Sequence, residues 1–364
     1  MENYNEINEF IENSYKTQNF DLNYFEFYKT RKEKRNNSVG IIKWKDNKYF
    51  FKIVKDNEYN DEDAIKNEIN PYFEIVEKYS EHKIGVETLN LYEYIDAPGR
   101  NAFNFLRDKN ISFIEKDNKL NEFFSKKFEF MKKTESLKPI TGNKKADRWF
   151  YDRIAKGSRF DTFYGENGIN LIEDVKRYDE DSSKEYEKYF IELFKYLNEE
   201  NMTVESYCHG DFHDFNFSLD GLFWDIDTFG MNPIMNDFAV YYWHYYGRED
   251  ALIYKYSPWL VNYMYDSLNR KELIEVRNLK EKYILKWYDV IEKLYEKYNI
   301  SHNITNEFVF KLFCRVFLID NVLNYDEEDK KTVYKFFDYV LRNKDKGIRN
   351  ILFTNPTKLV TEEV

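Results

Sequence analysis

Cys208-His209-Gly210-Asp211-Phe212-His213-Asp214-Phe215-Asn216 decides the reading of this chain, together with Asp225-Ile226-Asp227, which starts nine residues after Asn216. The stretch places a carboxylate, an amide five positions on, and then two alternating carboxylates within twenty residues. An Asp can orient a hydroxyl and accept its proton. An Asn and a second Asp suit magnesium, which prefers hard oxygen ligands and keeps several waters. Magnesium on a nucleotide phosphate, beside an oriented hydroxyl, is the apparatus of phosphoryl transfer. Between the two halves, Phe217-Ser218-Leu219 and Leu222-Phe223-Trp224 flank Asp220-Gly221, which reads as a two-residue hairpin turn. That turn is expected to fold the chain back so that Asn216 and Asp225 face one site.

Upstream, the chain reads as a small β-meander. Ile7, Phe10 and Ile11 predict a short amphipathic helix packed on it. Tyr24–Tyr28, Val39–Trp44 and Tyr49–Val54 read as three strands, with Asp46-Asn47 as the turn between the last two. Lys52 lies inside the third strand between Phe51 and Ile53. Such a Lys either reaches a cleft or a carboxylate, since burying it unpaired is costly, or it lies on a solvent face. Ala64, Ile65, Ile69, Phe73 and Val76 have helical spacing, so 61–80 reads as a helix restarted or kinked at Pro71. Val86–Leu89 and Leu91–Ile95 read as two more short strands, and Asp96-Ala97-Pro98-Gly99 as a turn closing the first unit.

Downstream the pattern is mainly helical. Leu120–Lys133 and Asp147–Arg159 carry apolar residues at helical spacing, and Ser182-x-x-Glu185 reads as a capping box opening a helix to Glu199. Asp237 opens an aromatic helix through Tyr246, and residues 251–351 read as three or four amphipathic helices. The expected division is therefore 1–95, a lobe of strands with one helix, and 96–364, a helical lobe that contains the loop.

Composition narrows the partners. The 364 residues carry a net charge of −11, which repels nucleic acid and anionic membrane surfaces. Two cysteines, Cys208 and Cys314, make no disulfide framework. No run approaches eighteen apolar residues and the first residues make no signal segment, so a cytoplasmic location is expected. With 32 Tyr and 32 Phe, aromatic clusters are a general feature of the chain and weak indicators of a ligand box.

The ordered set His209-Gly210-Asp211-x-His213-x-x-Asn216, Asp225-x-Asp227 and Gly230-x-x-Pro233-x-x-x-Asp237-x-Ala239 resembles the aminoglycoside phosphotransferase and choline kinase group. The resemblance covers most of the chain and implies an α+β, two-lobed protein-kinase-like fold, a small antiparallel sheet followed by a larger helical lobe. It implies that Asp211 is catalytic, that Asn216 and Asp225 bind magnesium with Asp227 accessory, that His209 braces the loop, and that Asp237 ties the loop to the next helix. It further implies that Lys52 meets nucleotide phosphates and pairs with Glu68, with Lys55 and Glu74 as fallbacks. Glu93-Tyr94-Ile95 becomes the adenine hinge, and backbone amides near Asn36-Asn37-Ser38 cover the phosphates. The Arg31–Ser38 connection lacks a Gly-rich pattern and no Ala-Pro-Glu segment follows Asp227, departures that point away from protein kinases. Asp214-Phe215 also departs from the small or Pro-containing pair common in the group.

The expected activity is magnesium-dependent transfer of a γ-phosphate from ATP or GTP to a hydroxyl of a small molecule that is aminoglycoside-, choline- or sugar-like. The alternatives are a kinase-fold protein acting on a protein partner, or a catalytically silent binding module. A zinc hydrolase built on His209 and His213 fits poorly, because zinc wants three firm ligands. Tyr242 and Trp243 are candidates for an aromatic acceptor wall, although helical aromatics in so aromatic a chain are more simply core.

Overall fold

The computed structural model describes residues 9–14, 25–27, 39–55, 62–70, 72–84, 87–140, 164–165, 168–199, 201–226, 228–247, 268, 270–319, 322 and 325–353. The chain builds an antiparallel sheet first and a mainly helical part after it, the α+β order expected.

The sheet has five described strands, β1 (Phe25–Phe27), β2 (Val39–Trp44), β3 (Asn47–Lys55), β5 (Lys78–Ile84) and β6 (Glu87–Glu93), in the order β1-β2-β3-β6-β5. Trp44 pairs with Asn47, so the two-residue turn is Lys45-Asp46, one position earlier than Asp46-Asn47. Lys45 takes the left-handed φ of +53° that such a turn asks for. One face of the sheet buries Ile42, Phe51, Leu89 and Leu91. A helical turn, α1 (residues 9–14), closes it with Ile11 and with Phe10, whose ring lies 4.5 Å from that of Trp44.

The helix expected over 61–80 is shorter. It spans Glu62–Ile69 (α2) and stops before Pro71, which has no N–H to give and disfavours helical geometry in the residue before it. Phe73 and Val76 are buried all the same, but from β4 (Glu74–Ile75) and its flanks. Apolar spacing alone does not distinguish the two. β5, Lys-Tyr-Ser-Glu-His-Lys-Ile, carries too few apolar residues to announce itself as a strand. The two short strands expected over 86–95 are one, because Asn90 continues β6, buried opposite Lys52 and Glu81.

Helices α3 (Ala97–Arg100), α4 (Ala102–Arg107) and α5 (Phe113–Thr134) follow directly, and then strand β7 (Ser136–Pro139). After residue 164 come α6 (Ile169–Lys176) and α7 (Glu180–Asn198). The cap of α7 is Asp179, whose side chain accepts from the Asp181 and Ser182 amides. Ser182 therefore lies inside the helix, as its third residue. The expected helix at 147–159 lies outside the described residues. The chain continues through β8 (Met202–Cys208), β9 (Leu222–Phe223), β10 (Gly230–Pro233), α8 (Ile234–Tyr242), α9 (Arg270–Lys297), α10 (Ile304–Phe313), α11 (Glu327–Asn343) and α12 (Ile348–Phe353). Two π-helical segments extend α8 and α10: Trp243–Gly247 and Cys314–Ile319. The large core lies among these helices. No described helix is long and apolar enough to cross a membrane.

Candidate active site

Strand pairing, before any side chain, brings the two halves of the Cys208–Asp227 stretch together. β8 ends at Cys208, and β10 begins opposite it at Gly230. The intervening loop must leave and return at neighbouring strands. Within it, Phe217 bridges Phe223, and the Trp224 amide donates to the Asn216 carbonyl at 3.1 Å. This puts Asn216 beside the residue preceding Asp225, as the hairpin reading expected. The turn is longer than two residues, however: Ser218 N–H donates to Leu222 O at 2.9 Å, leaving Leu219-Asp220-Gly221 as the loop. Gly221, at φ +99°, closes it by donating to Ser218 O. The same hairpin pairs in parallel with β4, through Glu74 N to Gly221 O and Val76 N to Phe223 O, both 3.0 Å.

Phenylalanines alternate with the polar residues of the loop and anchor it from below. Phe212 stacks on Phe217 at 4.6 Å between ring centres, Phe217 on Phe123 of α5 at 4.6 Å, and Phe215 against Phe103 of α4 at 4.6 Å. Gly210 is required where the two halves touch. Its φ is +81°, and a Cβ there would lie 2.7 Å from both Cβ and the carbonyl oxygen of Thr228.

Asp211, Asp214, Asp225 and Asp237 each meet a cation from far away in sequence. Arg315, on the π-helical segment after α10, donates from Nη1 to Asp211 Oδ1 at 2.6 Å. Lys280 of α9 pairs with Asp214, buried, with its ammonium also over the rings of Tyr241 and Tyr245. Lys127 of α5 donates to Asp237 Oδ2 at 2.8 Å and sits 3.9 Å from the centre of the Phe212 ring. Lys52 of β3 donates to Asp225 Oδ1 at 2.7 Å. The strand lysine thus does find a carboxylate, and Asp214, a departure from the resembled pattern, has its own partner.

These pairs set the charge of the site. Burial opposes ionisation of Asp211, but the Arg315 guanidinium and His213 outweigh it and hold the carboxyl well below the usual carboxylate range. Lys52 likewise lowers Asp225, against burial and the neighbouring Asp211. Asp225 keeps half its side chain exposed (49 %) and adopts a left-handed φ of +56°, a strained geometry for a residue other than glycine.

The histidines brace the loop. His209 Nε2 donates to Trp224 O at 2.9 Å, and its Nδ1 accepts from the Asp211 amide at 3.4 Å. One neutral ring therefore spans both halves, and its burial pushes its pKa down. His213 Nδ1 accepts from the Phe215 amide at 3.3 Å, and its Nε2 lies 3.1 Å from Asn216 Nδ2 and 3.4 Å from Asp211 Oδ2. With both rings occupied in this way, neither offers a nitrogen to zinc. Asp237 is fully buried and accepts the His209 and Gly210 amides at 3.1 and 2.8 Å.

Asn216 donates from Nδ2 to Asp211 O at 2.9 Å, so its Oδ1 is the atom left for a cation. Asn216 Oδ1 and the Asp225 carboxylate are hard oxygen donors. Magnesium commonly uses one or two protein carboxylates and completes its shell with water and phosphate, so this pair fits it. Among the described residues no group of three or more His, Cys, Asp or Glu is arranged to hold a metal ion.

The other expected residues divide. Ser38 and Asp227 lie outside the described residues, as do Asn36 and Asn37. Glu68 does not pair with Lys52; it is exposed at the end of α2 and makes no ion pair among the described residues, because the helix stops just beyond it. Glu74 is exposed on β4, and the side chain of Lys55 lies outside the description. The Glu93 amide donates to Glu77 O at 2.9 Å and Ile95 O accepts from Ala97 N at 2.9 Å, so the Ile95 N–H is the hinge donor without a partner among the described residues. Tyr242 and Trp243 are fully buried, Tyr242 bonded to Ile351 O and Trp243 packed on Phe336, and are core. From the same aromatic run His244 does reach the site: its Nε2 accepts from Arg315 Nη2 at 2.8 Å, and its ring stacks on His213 at 4.2 Å. Arg315, Lys280 and Lys127 escaped the sequence reading. Each left the same signal, a charge on an apolar helical stripe: Lys127 between Phe123 and Phe130, Lys280 between Val276 and Tyr283, and Arg315 seven residues after Phe308.

No family model matches the sequence, and no curated protein matches it. Solved structures similar to it include an aminoglycoside-3'-phosphotransferase of type VIII, at 13% identity, covering 70% of this chain and 93% of that one, TM-score 0.35. A protein of Ralstonia eutropha JMP134 described as a candidate aminoglycoside phosphotransferase has 10% identity, with 88% of this chain and 93% of that one covered, TM-score 0.46. The kinase PK-1 of Cydia pomonella granulovirus has 16% identity, with 34% and 46% covered, TM-score 0.22.

Proposed function

We propose that this protein transfers the γ-phosphate of ATP or GTP to a hydroxyl of a small molecule. The observation that carries the reading is the Lys52–Asp225 pair, 2.7 Å long across 173 residues of sequence. It sets a cation suited to phosphate and a carboxylate suited to magnesium side by side, next to the loop that holds Asp211 and Asn216.

In this reading the nucleotide lies between sheet and loop, with the Ile95 N–H and the Glu93 carbonyl holding the base. Asn216 Oδ1 and Asp225 would hold magnesium, with Asp227 accessory, and the ion would supply positive charge to offset that of the phosphates. Asp211 is ionised, so it accepts the hydrogen bond of the acceptor hydroxyl and aims the oxygen at phosphorus. An O–P bond forms to the acceptor, the bond from phosphorus to the β-phosphate oxygen breaks, and the hydroxyl proton passes through Asp211 to solvent. The products are a phosphate monoester and the nucleoside diphosphate. The transition state is loose, so positioning and electrostatics do most of the work.

A panel of amino sugars, choline-like alcohols and sugars, run with ATP and GTP in parallel and against a protein panel, tests this. Nucleotide consumption that depends on a small alcohol is expected. Transfer confined to proteins, or none with any acceptor, contradicts it.

A further inference from the structure

We propose that Arg315 and His244 form a positioning unit for Asp211. The inference rests on the phosphotransfer reading and adds two residues outside the loop to it. Arg315 is buried (4 % exposed) and reaches Asp211 Oδ1 through Nη1 at 2.6 Å. Its other branch, Nη2, lies 2.8 Å from His244 Nε2. A guanidinium only donates, so His244 Nε2 must be an acceptor here and its ring neutral. The His244 ring in turn stacks on His213, whose Nε2 faces Asp211 Oδ2. The two carboxylate oxygens are thus held from two sides, Oδ1 by one arm of the arginine and Oδ2 by the Asn216 amide at 3.4 Å, with His213 Nε2 at the same distance. This fixes the rotation of the carboxylate about its last bond.

Where these residues sit supports a dedicated arrangement. Both come from π-helical segments, His244 from Trp243–Gly247 and Arg315 from Cys314–Ile319. Widened turns of this kind are rare and occur often at functional sites. Each follows an α-helix of the core, α8 and α10, which pack together with Tyr242 against Phe308. The unit is therefore held by packed helices and reaches the loop from behind. A rigid backing matters in this chemistry, since a misplacement of about 1 Å can cost on the order of 100-fold in rate.

The test compares Arg315→Ala, Arg315→Lys and His244→Gln with the parent, reading kcat, nucleotide KM and thermal melting. For Arg315→Ala, kcat is expected to fall roughly 100-fold with nucleotide KM unchanged. Added guanidinium ion should restore part of the loss, whereas it should restore nothing in Asp211→Ala. Arg315→Lys keeps the charge without the fork and should fall between. Parental kcat in Arg315→Ala, or a nucleotide KM that rises in step with the loss, overturns the proposal. If Arg315→Ala does not fold, Arg315→Lys and His244→Gln decide: a reduced kcat at parental KM supports the unit, and parental kcat in both overturns it. A parent protein that transfers no phosphate to any acceptor is a different failure, which overturns the phosphotransfer reading itself.

Discussion

At the scale of single residues, the ion pairs change what the obvious substitution measures. Asp211→Ala would strip the buried Arg315 of this counter-charge, and breaking such a pair from one side costs about 3–5 kcal/mol. Asp211→Asn, which keeps an acceptor for Arg315, is the cleaner probe. It is expected to lower phosphotransfer by roughly 10²–10⁴-fold, with a smaller fall in melting temperature than Asp211→Ala. His209 gives a pH dependence with a definite sign. Its folded pKa lies below the usual value of about 6.5, so the unfolded chain binds its proton first. The stability it contributes is complete above that value and is lost as pH falls towards the folded pKa. Melting temperature should therefore drop between about pH 7 and about pH 5, and His209→Asn should flatten that part of the profile.

At the scale of elements, the loop is held by backbone geometry as much as by charge. Gly210→Ala meets both a left-handed φ and the Thr228 carbonyl at 2.7 Å, where backbone has to move. It should lower stability and activity together, with no rescue by Gly210→Ser. Asp237 receives two loop amides and Lys127 with none of its surface exposed. Asp237→Ala should cost about 3–5 kcal/mol, measured by chemical denaturation, since it orphans a buried ammonium. The motif spacing made Asp211, Asn216, Asp225, His209 and Asp237 legible because a loop of about twenty residues brings its own ends together. The partners were not legible. Lys127, Lys280 and Arg315 lie 66 to 110 residues from the acids they meet, among many other basic residues, and only helix packing chooses them. Each lies as a charge on an apolar helical stripe, which marks it as needing a partner but not which acid it meets.

At the scale of the molecule, the order of sheet then helices was readable from residue pattern, because alternation and helical periodicity differ strongly over β2, β3 and α5. The stretch 61–80 differs from the expected helix for a physical reason. Phe73 is buried against Phe123, Phe130 and Phe223 from a segment that pairs with β9, not from a helix face, and β5 is too polar to show a strand period. That short parallel pairing and the Lys52–Asp225 contact both join the sheet segment to the loop. Lys52→Met should therefore raise nucleotide KM while leaving melting nearly unchanged, since a pair whose carboxylate is half exposed adds only about 0–1 kcal/mol.

The most direct measurement of the central claim is transfer of a labelled γ-phosphate, with magnesium, by the parent protein, Asp211→Asn and Asp225→Asn, using any acceptor the panel identifies. The account predicts a labelled phosphate monoester from the parent and a loss of at least roughly 100-fold in each variant, with melting curves that still show a folded protein. Transfer at the parent rate by either variant would contradict it.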